Sequence, residues 1–275
     1  MPTKAEQRPW QMFFVGFLFT LLGVFLSLII FREYASLIMV FLIVMVSFPL
    51  IYNTIKLEEI KDEHMKTEKE LLKEHVKALS VFMFLFLGIT MTLVVLYVFL
   101  PVNITDALFH VQTSTIHNIN SNINGNAVTG SYFQTIFFNN MRVLSICILF
   151  SFLYGTGAMF ILTWNASVIA AAIGDFIKTN ISIVAASLGS VPMSEMFSTF
   201  SVGVMRYMIH GFFEILAYFV AGLAGGIISV AIIRHQLGED KFEKIIFDVS
   251  ELLVISIVIL LFAGLVEVYV TPVLF

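Results

Sequence analysis

The sequence predicts an all-α fold, a polytopic transmembrane helical bundle of about seven spans, and three observations carry that prediction. Of the 275 residues, 59% are hydrophobic, more than a soluble core can use. Only 12% are charged, against roughly 25% in an ordinary soluble domain. The apolar residues also run together, in uncharged stretches longer than the roughly 20 residues needed to cross the hydrocarbon core. The net charge of −4 comes with no Lys/Arg block able to neutralise a nucleic-acid backbone, so membrane lipid is the expected surrounding and nucleic acid is not a partner. The single cysteine, Cys147, sits in an apolar run and excludes an intrachain disulfide or a multi-cysteine metal site.

The first span is Pro9 to Phe31. Lys4 and Arg8 precede it as a signal-peptide n-region would, but the stretch is longer than a typical h-region and lacks an A-x-A site, so it reads as retained. Tyr34 to Ile55, Ala78 to Pro101 and Val143 to Trp164 follow as spans two to four. Further on, Ile215 to Ile233 lies between Glu214 and Arg234, and Leu252 to Val266 between Glu251 and Glu267. Asn165 to Arg206 is harder, because Asp175 and Lys178 interrupt it and Gly189, Pro192 and Glu195 punctuate it; hydropathy leaves open a crossing or a re-entrant segment.

Charge bookkeeping decides between those two. Lys56 to Lys77 holds six lysines and Val102 to Asn140 holds no Lys or Arg, so the positive-inside rule places the first in the cytoplasm and the second outside. Counting forward from a cytoplasmic N-terminus, and backward from Arg234, Lys241 and Lys244, requires an odd number of crossings in the difficult stretch. A fifth span is therefore expected at about 166–188. The chain becomes a multi-pass protein of the cell membrane with an external C-terminus, and eleven of its fifteen Lys and Arg are cytoplasmic.

Two connecting segments have their own character. Leu57, Ile60, His64, Leu71, Leu72, His75 and Leu79 recur at roughly helical spacing, opposite a face of mixed charge with pairs such as Glu58 with Lys61 and Glu70 with Lys73. This reads as a solvated helix running into the third span, with a partner-docking helix as the alternative. The external loop from Val102 to Phe133 carries six Asn and the turn signal Asn124-Gly125, and is expected to be irregular or short-helical. Asn103-Ile104-Thr105 matches the weak N-glycosylation triplet there.

Chemistry concentrates in R-Y-M-I-H-G-F-F-E-I-L-A-Y-F-V-A-G-L-A-G-G, Arg206 to Gly226. Spacings of three and four put His210, Glu214, Ala217, Ala221 and Gly225 on one helical face, with Gly222 and Gly226 forming a G-x-x-x-G beside it. Small residues let helices approach closely in lipid, so this face turns toward protein and carries the polar pair inward. The fifth span repeats the pattern with Ala170, Gly174 and Lys178, Asp175 just off the face, and span four adds Ser151 and Gly155. Lys178 or Asp175 could meet Glu214 or Arg206 in an interior network. A structural hydrogen-bonded role and a proton, ion or ligand site both fit such residues; a metal site would lack ligands, since an i, i+4 pair supplies two and zinc needs at least three from protein. No H-E-x-x-H, G-x-S-x-G or glycine-rich phosphate loop occurs, so neither an enzyme nor a cofactor is expected.

These residues also carry a resemblance. H-G-F-F-E at His210 to Glu214, the A-G-L-A-G-G helix after it, F-x-N-N-M-R-V at Phe137 to Val143, and G-T-G at Gly155 to Gly157 resemble motifs of the stage II sporulation protein M family. Asn165-Ala166 departs from the Asn-Gly with which that family often enters its next span. The similarity runs from roughly Ala78 to Phe275. It implies a five-span core over 78–275, preceded over 1–77 by an added transmembrane hairpin and its charged cytoplasmic helix. It also implies a non-enzymatic integral membrane component; the sporulation member acts with cell-wall hydrolases. The expectation is thus a membrane scaffold or assembly component, with a channel or transporter for a small solute, ion or lipid as the alternative. The small-residue faces suggest a homo-oligomer, a dimer in the simplest case, and a membrane or envelope protein is a candidate partner.

Overall fold

The computed structural model describes residues 4–64, 68–124, 129–151, 156–233 and 240–274. The helices among them are α1 (Lys4–Gln7), α2 (Gln11–Ile30), α3 (Ala35–His64), α4 (Glu68–Phe99), α5 (Val102–Asn124), α6 (Thr129–Ser151), α7 (Thr156–Leu188), α8 (Met193–Ile233), α9 (Asp240–Leu265) and α10 (Thr271–Leu274). A 3-10 turn, Arg32–Tyr34, joins α2 to α3, and a π-helical turn, Val266–Val270, joins α9 to α10. No strand occurs among the described residues, as expected where lipid forces every backbone group to find its partner within the segment. Seven helices, α2, α3, α4, α6, α7, α8 and α9, are long and apolar enough to cross a bilayer.

Helix α8 is the axis of the bundle, buried almost continuously from Ile215 to Ala231. Its small residues set the spacing to its neighbours. A Cβ on Gly225 would lie 2.6 Å from the Ser151 Cβ of α6, and one on Gly222 would lie 3.2 Å from the Ala158 Cβ of α7. Gly226, Ala221 and Ala170 are buried as well, while Gly155 lies outside the described residues. Helix α6 runs parallel to α8, with Asn140 beside Glu214 and Ser151 beside Gly225. Helices α7 and α9 run antiparallel to it, Ile177 meeting Gly203 and Phe262 packing edge-on at 4.9 Å against Phe213.

Helix α4 joins this group to the N-terminal hairpin. Phe82 and Phe86 pack on Phe219 of α8 at 5.8 and 5.9 Å, and on the other side α4 meets α2 backbone to backbone. A Cβ on Gly88 would run into the carbonyl of Phe13, and one on Gly16 into that of Leu85. Gly174 of α7 is filled in the same way by the Tyr97 ring of α4, which puts α7 level with the outgoing end of α4 at that residue.

Three expectations change. Val143 to Trp164 is not one span: α6 ends at Ser151, and Trp164 and Asn165 lie inside α7, so no turn separates spans four and five there. The polar start of α6 hid that span's true beginning, which shifts toward the N-terminus. The charged stretch is not one solvated helix but the facing ends of α3 and α4, with Glu58 and Glu59 fully buried. The loop after span three is the 23-residue helix α5. Gln112 fixes it to the bundle, accepting from Ser36 Oγ at 2.7 Å and donating to Ser36 O and Ser167 Oγ, each at 3.1 Å. The sequon's Thr105 hydroxyl is buried and donates to Leu100 O and Pro101 O, 3.2 Å each. The punctuation at Gly189 and Pro192 marks a hairpin turn: Gly189 has φ +71°, open only to residues that tolerate the left-handed region, and closes α7 onto Ala185 O at 2.9 Å.

Candidate functional site

His210 and Glu214 stand one turn apart on α8, and both bond to other helices. The Asn140 side chain of α6 donates to Glu214 Oε1, and the Glu267 carboxyl stands in hydrogen-bond contact with the same group. Glu267 is carried by the π-helical turn Val266–Val270, a local widening of the kind often found at functional positions. One turn further out, His210 Nδ1 lies 3.2 Å from Thr271 Oγ1. The Thr271 hydroxyl donates to Val266 O at 3.3 Å. Four segments, α6, α8, the π turn and α10, thus meet through side-chain hydrogen bonds in one half of the bundle, with Tyr218 buried beside them.

The other sequence-derived candidates go elsewhere. Lys178 turns to α4 and α5: its Nζ sits 5.1 Å from the Tyr97 ring centroid and donates to Thr105 Oγ1 at 3.4 Å. Arg206 lies with its guanidinium carbon 5.5 Å from the Phe176 ring centroid. Asp175 and Arg206 share an open cleft of about 360 Å³ between α5, α7 and α8, lined also by His117, Asn180 and Tyr207. Neither His210 nor Glu214 lines that cleft. Of the pairings the sequence left open, Asp175 and Arg206 come to one cleft and Lys178 lies within charge range of Asp175, whereas Glu214 stands apart, facing α6 and the π-helical turn after α9.

Sequence reasoning missed two features. Glu267 was taken only as the charge bounding the last apolar run, although Asn140 stood inside the motif F-x-N-N-M-R-V. The second is a buried ionic cluster at the opposite end of the bundle. Lys61 Nζ lies 2.6 Å from Glu58, 3.0 Å from Glu6 and 3.1 Å from Glu74, while His75 Nδ1 lies 2.8 Å from the second Glu58 oxygen. Glu6 and Glu58 are fully covered and Lys61 nearly so. The i, i+3 spacing of Glu58 and Lys61 was the only part of this visible in the sequence. Cys147, expected as a small buried apolar residue, is buried on α6.

In comparison with known proteins, the family model described as stage II sporulation protein M fits residues 80–272, from α4 to α10. No curated protein and no solved structure matches the chain.

Proposed function

Since the chain belongs to the stage II sporulation protein M family, we propose that it acts as a non-enzymatic scaffold or assembly component of the cell membrane, holding a membrane or envelope protein partner and needing no cofactor. One observation supports this above others: the ionisable side chains His210, Glu214 and Glu267 are engaged in bonds that join α6, α8, the π-helical turn and α10. Polar groups used in this way fix one bundle geometry, as a platform requires. Self-association as a homodimer belongs to the proposal on another surface, because the small-residue faces are filled within one chain. So does the orientation with a cytoplasmic N-terminus and external C-terminus. Val273 is 82% exposed, so a cysteine there, on a Cys147→Ser background, should be labelled from outside the cell and not from the cytoplasmic face.

The runner-up is a channel or transporter. It is favoured by the meeting of the Glu214 and Glu267 carboxyls inside the bundle and by the open cleft at Asp175 and Arg206. Reconstitution of the full chain into liposomes separates the readings. The scaffold expects no proton, sodium or potassium flux above empty vesicles; robust flux abolished by Glu214→Gln would sink it.

A further inference from the structure

Helix α6 has the lowest mean hydropathy of the seven spans, 1.4, and its polar residues point two ways. Asn140 and Ser151 are buried toward α8, whereas Gln134, Asn139 and Arg142 are exposed on the outward face. Arg142 falls midway along the membrane-crossing window Phe133–Ser151. The register of α6 on α8 agrees, since Asn140 beside Glu214 and Ser151 beside Gly225 set Arg142 against the middle of the bundle's axis. Among the described residues no ion pair or hydrogen bond engages the side chains of Gln134, Asn139 or Arg142.

A charge in mid-bilayer is costly, and such residues face a bundle interior or a wet cavity and pair there. Arg142 does none of this within the chain. Snorkelling serves residues near helix ends, but about 13 Å of helix rise separates Arg142 from either end of its span. Bare lipid is therefore the wrong neighbour for this face. A second copy of the chain is a poor one too: at this depth its carboxyls are Glu214 and Glu267, already engaged inside the bundle. A guanidinium takes a carboxylate through two parallel hydrogen bonds, and the flanking amides of Asn139 and Gln134 both donate and accept.

We infer that the outward face of α6 docks a membrane-spanning helix of a different protein, one that carries an Asp or Glu near its middle and pairs it with Arg142. The inference rests on the scaffold reading, yet the two fail separately, because ion flux tests that reading and the following measurements test only this face. The probes are synthetic leucine-rich helices of about 20 residues, fluorescently labelled, with Asp, Leu or Lys at the centre. Their anisotropy is followed on titration with the full chain in detergent. The Asp helix should bind at least about ten-fold more tightly than the Leu helix, and the Lys helix not at all. Arg142→Leu should remove the preference for Asp and leave thermal unfolding at or above the wild-type temperature, since no intrachain bond is lost. Equal binding of Asp and Leu helices by the wild type overturns the proposal without recourse to any variant. So does unfolding of Arg142→Leu, which would place the arginine in the chain's own packing. Homodimeric crosslinks through Ser145→Cys on a Cys147→Ser background, in native membranes, overturn it as well by seating a second copy on the face.

Discussion

Glu214 allows a direct test of what a half-buried carboxyl does in this bundle, because it can lose its charge with or without losing its hydrogen bonds. Glu214→Gln keeps an acceptor for Asn140 and offers a donor to Glu267. Glu214→Ala strands both and should cost about 1–3 kcal/mol more. Thermal unfolding in detergent should therefore rank wild type and Gln together, well above Ala. Wild-type stability for both Glu214→Ala and His210→Ala would show that these contacts hold nothing. Half of this site was legible in the sequence. The i, i+4 spacing of His210 and Glu214 and the small residues beyond them said which way the pair faces. What no periodicity could give was the second carboxyl, because Glu267 lies past the last apolar run and reaches Glu214 from a π-helical turn, whose phase a 3.6-residue repeat does not extrapolate.

At the scale of whole helices, the ends of α3 and α4 are held by Lys61, which bridges three carboxylates, with Lys77 also on Glu74. Lys61→Met leaves Glu6, Glu58 and Glu74 without it, and removing one partner of a buried ion pair costs roughly 3–5 kcal/mol. The double change Lys61→Met with Glu58→Gln should recover part of that loss, which thermal unfolding of both variants would show. Reading this segment as a solvated face followed the usual fate of mixed charge; it is covered by α1, which brings Glu6 to Lys61, and by α9, whose Asp248, Glu251 and Leu252 lie beside Leu71, Leu72 and His75. Helix α6 shows the converse error. Its apolar run after Arg142 was joined to that of α7, because polar residues such as Gln134, Asn139 and Asn140 disguise the first half of a span whose partner groups lie on other helices. The seven-span count survived because an odd number of crossings was imposed by where the lysines fall, independently of each boundary.

Across the whole molecule, the N-terminal hairpin lies outside the stretch that the family model fits, yet it is locked to the core at backbone distance. Gly88→Val should push α2 off α4, since the added atoms meet the rigid carbonyl of Phe13 rather than a movable side chain. Faster proteolysis between α2 and α3 and a lowered unfolding temperature would register this, whereas an unchanged protein would mean that the two parts are only loosely apposed. The pairing of Gly174 with Tyr97 has a different consequence. It fixes α7 against the outgoing end of α4, and α7 then continues to Leu188, so the turn at Gly189 stands about 18 Å beyond the level of Phe99. With α8 returning alongside it, the hairpin is a two-stranded mast whose height is set by residue count alone. Removing two turns from each arm would lower its tip by about 11 Å while leaving the packing below Gly174 and Gly203 in register. Stand-off distance and bundle stability are therefore separately adjustable quantities in this protein.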